Sequence, residues 1–153
     1  MFKKDKPKVS LGIPIFNESK YISETVNSLI NQTYENIEII AIDNDSNDDS
    51  FGILESLSKQ DNRLKIFKNT KNIGMSENFN LVFKKSTGKY FAWIGAHDIY
   101  EKEFVEKLVN KLETTHNAAV AFSNISKIDS EGKKFEINKE TGFELHSSSS
   151  YLR

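Results

Sequence analysis

The chain has 153 residues, 37% of them hydrophobic, which is enough for one well-buried core and too few for two ordinary domains. Its 21 basic and 22 acidic residues balance, so no nucleic-acid-binding surface is predicted. The absence of cysteine excludes disulfides and cysteine metal sites, and the apolar stretches are too short for a transmembrane helix or a signal peptide. We therefore expect a soluble, cytoplasmic protein.

The first residues form a small basic arm that contains Lys3, Lys4, Lys6 and Lys8. Such an arm either rests on an anionic lipid surface, which would place the protein peripherally at the inner face of the membrane, or is a solvated terminus. The second interpretation is favoured because chain ends are commonly frayed.

The first predicted elements are a strand and a helix. Residues 9–16 are rich in Val, Leu and Ile, which predicts a central strand that ends near Pro14, where a ladder donor is missing. Apolar residues then recur at i, i+4, i+7 and i+8, as on one face of a helix, and Asn17 or Ser19 is expected to cap its first turn. These apolar residues are Ile22, Val26, Leu29 and Ile30.

A second strand, helix and third strand follow. Residues 37–42 are short and β-branched, which predicts a strand, and they run into the polar cluster of residues 43–49. Ser46 and Asp49 resemble a capping box at the start of the second helix. Residues 64–67 indicate a brief third strand. The apolar positions of the second helix are Ile53, Leu54 and Leu57.

The next segment predicts a helix, a buried strand and another helix. The third helix is expected to open near Ser76 and to stop at Gly88. Residues 90–94 are apolar without alternation, as in a strand covered on both faces, and we expect Trp93 in the core. The clearest helical stripe of the chain lies in residues 104–112.

The C-terminal part predicts further strands and a tail. Residues 118–122 are expected to form another strand, and a turn signal at residues 129–132 with apolar flanks indicates a β-hairpin. We expect a single domain over residues 1–138 and a polar, disordered tail over residues 139–153.

The alternation of strands and helices predicts an α/β fold with a mainly parallel sheet flanked by helices. In such sheets, ligands bind outside the carboxyl ends of the strands where the strand order reverses. Three polar segments fall at predicted strand ends: residues 14–18, 43–49 and 95–98. The sequence therefore predicts a crevice formed by these segments, on which Asp43 and Asp98 converge.

Four polar residues of these segments have chemistry suited to a nucleotide, and each also has a purely structural interpretation. Asp43 and Asn44 suit hydrogen bonds to a base edge and ribose hydroxyls, or they only cap and solvate a turn. Asp98 suits a divalent ion that bridges two phosphates, or it caps the following helix. His97 contacts metal or phosphate, or is a surface histidine.

Five segments resemble, in order and spacing, the motifs of family 2 glycosyltransferases. They correspond to the opening strand and loop (residues 9–18), the end of the first helix (28–34), the second strand with its Asp-containing loop (39–46), the Asn-x-Gly element (72–74) and the strand that leads to the Asp-x-Asp metal motif (88–98). The resemblance covers residues 8 to about 115 and implies a GT-A, Rossmann-like fold, of which this chain is the N-terminal, nucleotide-sugar-binding part.

The resemblance also implies residue roles. Asp43 and Asn44 would contact base and ribose, and Asp98 would hold a Mg²⁺ or Mn²⁺ ion against the diphosphate. The positions expected to contact the nucleotide sugar are Pro14, Phe16, Glu18, Asp43, Asn44, Asn72, Gly74, Asn78, His97 and Asp98.

The sequence departs from the family pattern in three respects. Asn44 stands where a second Asp is frequent, and Gly95 and His97 stand where the metal motif commonly has Asp, which predicts weak metal binding or none. Family catalytic domains also continue well beyond 150 residues. We therefore expect binding of a nucleotide sugar, with poor transfer unless a further segment or partner completes the site.

Three functions are weighed. The leading one is inverting transfer of a sugar from a nucleoside diphosphate to a saccharide or lipid-linked acceptor, with an Asp or Glu base beyond residue 153. The second is a non-catalytic nucleotide-binding or interaction module. Both the enzyme and the module are compatible with a homo-oligomer. The third, a response-regulator-like domain, needs paired acids after the first strand, where Glu18 is alone.

Overall fold

The computed structural model describes residues 6–129 and 131–134. The chain divides into two compact units, the first ending at Ala121 and the second beginning at Phe122. The domain boundary predicted at residue 138 and the predicted tail of residues 139–153 lie outside the described residues. Within the described part of the chain, no helix is long and apolar enough to cross a lipid bilayer.

The first unit is a four-stranded parallel sheet with four helices, in strict alternation along the chain. In chain order, the elements are β1 (Val9–Ile15), α1 (Ile22–Ile30), β2 (Ile37–Asp43), α2 (Ser50–Ser58), β3 (Leu64–Lys68), α3 (Met75–Lys84), β4 (Tyr90–Trp93) and α4 (Phe104–Thr114). The strand order is β3-β2-β1-β4, so the order reverses between β1 and β4. The predicted α/β class with a parallel sheet is confirmed.

The two central strands carry the core because helices cover both faces of the sheet. All seven residues of β2 are buried, as are six of the seven in β1, which explains their nearly continuous apolar sequences. Side chains from α1, α2 and α4 pack on one face of the sheet. On the other face, Val82 of α3 packs against Ile40 and Ile42 of β2.

The prediction that Trp93 is a core residue is wrong. Trp93 is 53% exposed, because among the described strands β4 is an edge and α3 covers only part of it. Phe91 and Trp93 project from the same side of β4 and meet Phe79 and Phe83 of α3, with ring centroids 5.0 to 6.3 Å apart. An exposed aromatic cluster therefore joins α3 to β4.

The predicted side-chain caps of α1 and α2 do not form. No side-chain cap bond is present at either helix start. Asn17, Ser19 and Ser46 instead lie in the hydrogen bonds that connect the β1–α1 loop to the β2–α2 loop. The predicted cap residues thus make long-range bonds between loops, which a local sequence pattern does not reveal, and at α2 the first N–H, of Ser50, donates instead to Asp48 Oδ1 at 3.0 Å.

The predicted strand over residues 118–122 is also wrong. Val120 is 78% exposed and Phe122 is exposed as well, and these residues pair with no described strand. In the described part of the second unit, the turn at Gly132 closes an antiparallel bridge between Ile128 and Lys134. The outer apolar positions of the predicted hairpin, Phe135 and Ile137, lie outside the described residues.

At the amino ends of the strands, Glu38 of β2 is buried beneath five hydrogen-bond donors. Lys8 and Lys65 contact its carboxylate through Nζ at 2.8 and 2.7 Å, and Ser10 Oγ lies 2.7 Å away. The backbone N–H and the hydroxyl of Thr87 donate at 2.8 Å each. Burial by itself would raise the pKa of Glu38, but these donors hold it well below its ordinary value.

Two lysines of the basic arm contact the folded part of the protein. Lys8 binds Glu38, and the Lys6 ammonium lies 5.2 Å from the ring centroid of Tyr34. Lys3 and Lys4 lie outside the described residues. Contact of the arm with a membrane therefore stays a prediction, with Lys8 already engaged by the protein.

Gly12 is required where α3 crosses β1. A Cβ at this position would overlap Val82 Cγ1 and would lie 2.8 Å from Phe91 Cζ. We expect Gly12→Ala to lower the free energy of unfolding by about 2 kcal/mol, as overpacking of a core does, measured by urea denaturation.

Gly52→Ala in α2 is the matched control, because its Cβ meets only the flexible carboxylate of Asp49 and alanine favours helix. We expect this control to be as stable as the wild type or more so. Equal stability of Gly12→Ala and wild type would contradict the required close approach.

Candidate functional site

The three polar segments predicted from the sequence meet at the carboxyl edge of the sheet. Residues 14–18 leave β1, residues 43–49 leave β2, and residues 95–98 follow β4. Because β1 lies between β2 and β4, all three segments are neighbours. The crevice is where the strand order reverses, which is the usual ligand site of open parallel sheets.

Hydrogen bonds join the loops after β1 and β2 into one wall. The backbone N–H groups of Asn17, Glu18 and Ser19 donate to side-chain oxygens of Ser46, Ser50 and Asp48 at 2.8 to 2.9 Å. Burial by itself would raise the pKa of Asp48, but hydrogen bonds from Ser50 and Ser19 lower it to about 2. These loops are held in place before any ligand arrives.

Asp43 is the most unusual residue of this wall. Its side chain is fully buried at the end of β2, and its Oδ2 accepts a hydrogen bond from the Ser46 N–H at 3.0 Å. Its Oδ1 is buried without a hydrogen-bond partner, the only such side-chain atom among the described residues. An unpaired buried carboxylate oxygen is costly, which makes Asp43 Oδ1 a candidate acceptor for a donor group of a ligand.

Asn44 joins the end of β2 to the loop between β3 and α3. Its Nδ2 donates to Asn72 Oδ1 at 3.0 Å and to the Gly74 carbonyl at 3.3 Å. Its Oδ1 accepts from Asn69 Nδ2 at 2.9 Å and from the Ile73 N–H at 3.0 Å. The amide is fully engaged by the protein, so the structure places Asn44 as a support of the site, whereas the resemblance implies contact with base and ribose.

Asn78 and Asn69 continue this support. Asn78 is buried in the first turn of α3 and donates to the Ile42 carbonyl at 3.1 Å. Asn69 Nδ2 donates to Asn78 Oδ1 at 3.0 Å as well as to Asn44. Sequence reasoning missed Asn69. The signal was its position directly after β3, at the same edge as the polar segments that were recognised.

On the β4 side, His97 reaches the β1 loop. Its Nδ1 lies 3.2 Å from Glu18 Oε1, which brings the turn after β4 against the loop after β1. His97 is exposed and Glu18 is mostly buried, so both face the crevice from its rim. Phe16 is 44% exposed beside them, and Pro14 is partly buried near the end of β1.

Asp98 lies in the turn after β4, and its carboxylate folds back over Gly95. A Cβ on Gly95 would overlap Asp98 Oδ2, so a larger residue there would displace this carboxylate. The Gly95 N–H donates to the Tyr100 hydroxyl at 3.1 Å. Burial raises the pKa of Tyr100 to about 12, and the Asp98 carboxylate adds to the shift. Asp98 does not cap α4, which begins at Phe104.

The site offers few metal ligands of its own. No three His, Asp or Glu side chains are grouped so as to hold a metal in the part of the chain that the structure describes. Asp98 supplies one carboxylate, and the neighbouring Glu18 is in contact with His97. Any ion here would take most of its ligands from elsewhere.

The predicted convergence of Asp43 and Asp98 on one edge of the sheet is supported by a continuous path of contacts. Ser46 connects Asp43 to the β1 loop through the Asn17 N–H. From the same loop, Glu18 contacts His97, the neighbour of Asp98 in sequence. Of the ten predicted site residues, Pro14, Phe16, Glu18, Asp43, Asn44, His97 and Asp98 lie near the carboxyl ends of β1, β2 and β4, Asn72 and Gly74 lie in the loop between β3 and α3, and Asn78 lies in the first turn of α3.

Comparison with known proteins agrees with this geometry. The sequence matches the model of glycosyl transferase family 2 over residues 10–150. An uncharacterized glycosyltransferase of Haemophilus influenzae is 43% identical over 107 residues, which are 70% of this chain and 33% of that protein. This chain thus spans about a third of that relative's length.

Solved structures share the fold. Residues 1–349 of S. aureus TarS, in complex with UDP, superpose with a TM-score of 0.65 at 23% identity, over 76% of this chain and 38% of that one. The mannosyltransferase PcManGT of Pyrobaculum calidifontis, in complex with GDP-Man and Mn²⁺, gives a TM-score of 0.66 at 19% identity, over 71% and 33%. The fold is therefore the GT-A fold, and the chain belongs to glycosyltransferase family 2.

Proposed function

We propose that this chain is the donor-binding part of a glycosyltransferase and that it binds a nucleoside-diphosphate sugar in the crevice at the carboxyl edge of the sheet. The observation that carries the proposal is Asp43 Oδ1, a buried carboxylate oxygen without a partner at the carboxyl end of β2, the strand next to β1, where the strand order reverses. A ligand N–H or O–H group supplies the hydrogen bond that the protein does not.

The chemistry of Asp43 favours particular bases. A carboxylate only accepts hydrogen bonds, so it suits a ring N–H as found in uracil, thymine and guanine. The corresponding ring nitrogen of cytosine is an acceptor, so cytosine offers a carboxylate only its exocyclic amino group, at a different position on the ring. Phe16, exposed at the end of β1, offers an aromatic face beside the same crevice.

A divalent ion is compatible with the residues present, although they hold it weakly by themselves. Mg²⁺ commonly takes one or two protein carboxylates and completes its shell with phosphate oxygens and water, and the single carboxylate of Asp98 meets that minimum. A bound Mg²⁺ or Mn²⁺ would neutralise charge on the departing diphosphate. We propose that Asp98 holds such an ion only together with the nucleotide.

The transfer step involves parts of the relatives that this chain does not cover. We propose an inverting transfer to a saccharide or lipid-linked acceptor, with the acceptor site and an Asp or Glu general base in that remaining part. The described residues bind the donor. They orient its diphosphate near Asp98 and hold the nucleobase against Asp43. We also propose that the protein is cytoplasmic and takes its donor from solution.

Calorimetric titration of the chain with UDP, GDP, dTDP and CDP tests the proposal. We expect binding of at least one of the first three and weaker binding of CDP, because only the first three present a ring N–H to Asp43. Mn²⁺ is expected to strengthen binding, and Asp98→Ala to remove that gain while the metal-free affinity stays unchanged. No heat and no thermal shift with any nucleotide would indicate a non-catalytic interaction module instead.

A further inference from the structure

We propose that Asn69 is a positioning residue of the nucleotide site, which holds Asp43 in place through an amide network that spans three strands and a helix. This inference rests on the proposed function, because it assigns a role within the same crevice. Asn69 itself lies behind the residues that face the crevice, at the first position after β3.

Asn69 contacts the site through its backbone and its side chain. Its backbone N–H donates to the Asp43 carbonyl at 2.8 Å, which extends the pairing of β2 and β3 past the end of β3. Its Nδ2 donates at 2.9 Å to Asn44 and at 3.0 Å to Asn78. A primary amide has two N–H donors, and both are used.

The partners of Asn69 carry its influence to the neighbouring elements. The Asn44 N–H donates to the Ile15 carbonyl at 2.8 Å, which fixes the end of β2 against the end of β1. Asn78 donates to the Ile42 carbonyl at 3.1 Å, which fixes the start of α3 against β2. Asp43 lies between Ile42 and Asn44, so its backbone is held on both sides.

The consequence is a preorganised carboxylate. A buried acceptor gains most from a ligand when its position is fixed beforehand, because no ordering cost is then added on binding. Without the Asn69 amide, Asn44 Oδ1 loses one of its two donors and Asn78 Oδ1 loses its Asn69 donor. Asp43 would remain present, with a wider range of positions.

The test replaces Asn69 by Leu, which is neutral and of similar shape but has no donor. In calorimetry with the nucleotide that the wild type binds, we expect the dissociation constant to rise about tenfold. The chain is expected to remain folded at the assay temperature. In two-dimensional NMR of the ligand-free protein, we expect the Asn44 side-chain amide signals to shift.

Asn36→Leu is the matched control. Asn36 is exposed at the amino end of β2, and its Nδ2 also donates one hydrogen bond, to the Lys6 carbonyl at 2.7 Å. This variant is expected to keep the wild-type affinity and the wild-type Asn44 signals. Any general loss of stability from an Asn-to-Leu change thus appears in both variants, whereas the loss of affinity appears only in Asn69→Leu.

A second variant at the same position tests the inference if Asn69→Leu does not fold. Asn69→Ser keeps a small polar side chain that does not reach both amides, and we expect its affinity to fall in the same direction. Wild-type binding with unchanged affinity in a folded Asn69 variant would overturn this inference alone. Failure of the wild type to bind any nucleotide would overturn the proposed function and, with it, this role of Asn69.

Discussion

Replacing Asp43 by Asn is expected to weaken nucleotide binding about 100-fold and to leave the ligand-free protein at least as stable as the wild type. The side-chain oxygen of the new amide still accepts from the Ser46 N–H, as Asp43 Oδ2 does at 3.0 Å. An NH₂ group then stands at the position of Oδ1 and faces the ligand donor with another donor. Calorimetry measures the affinity.

The stability of Asp43→Asn is not expected to fall with its nucleotide affinity. The unpaired oxygen of Asp43 is buried, and a neutral amide at that position is less costly to desolvate than a carboxylate. We expect the free energy of unfolding to stay constant or to rise by about 1 kcal/mol. Weaker binding together with unchanged or higher stability is expected when a binding residue destabilises the ligand-free protein.

Asp45→Asn is the matched control for Asp43→Asn. Asp45 lies in the same loop and undergoes the same change of charge, and its φ of 62° is a conformation that Asn adopts readily. We expect its nucleotide affinity to remain close to that of the wild type. Equal affinities of Asp43→Asn and wild type would show that the buried oxygen does not face the ligand.

The second large effect is expected at Glu38, on the opposite edge of the sheet. Glu38→Ala removes the common acceptor of Lys8, Lys65, Ser10 and the Thr87 loop. Loss of one partner from a buried ionic network costs about 3 to 5 kcal/mol. Because both lysines are partly exposed, we expect the low end of this range, about 3 kcal/mol. Urea denaturation at neutral pH measures it.

The pH dependence gives an independent check. The folded-state pKa of Glu38 lies well below its ordinary value of 4.5, so the unfolded chain takes up the proton first as pH falls. The stabilisation is therefore fully present above pH 4.5 and is lost as pH falls towards the folded-state pKa. We expect the difference between wild type and Glu38→Ala to shrink over this acid range.

Glu55→Ala, on the exposed face of α2, is the control for the loss of a glutamate. Its stability is expected to stay within about 0.5 kcal/mol of the wild type at all pH values. A constant difference between wild type and Glu38→Ala from neutral to acid pH would contradict the role of the ionised carboxylate.

The sequence predicted the layers of the fold because burial acts on every residue of a central strand. β1 and β2 are buried along nearly their whole length, so their apolar runs stood out. Trp93 was misplaced because the composition of β4 resembles that of a central strand, while its position at the described edge of the sheet depends on the strand order. Strand order is not encoded in local periodicity.

The site was predicted in its outline and less well in its detail. The strand ends located Asp43 and Asp98, since the position of a polar segment after a strand is readable from the chain. The division of labour between Asp43, which has an unpaired oxygen, and Asn44, which supports the loops, depends on contacts with residues 25 to 30 positions away. Such long-range pairing also concealed Asn69.

The aromatic cluster between α3 and β4 has a practical consequence. Trp93 is the single tryptophan of the chain, and its ring lies against Phe79 and Phe83 of the helix whose first turn contains Asn78. Two residues further along the chain, the turn with Asp98 begins at Gly95. The protein thus carries its own fluorophore between α3 and β4, and we expect changes in these two elements to alter its emission without an attached dye.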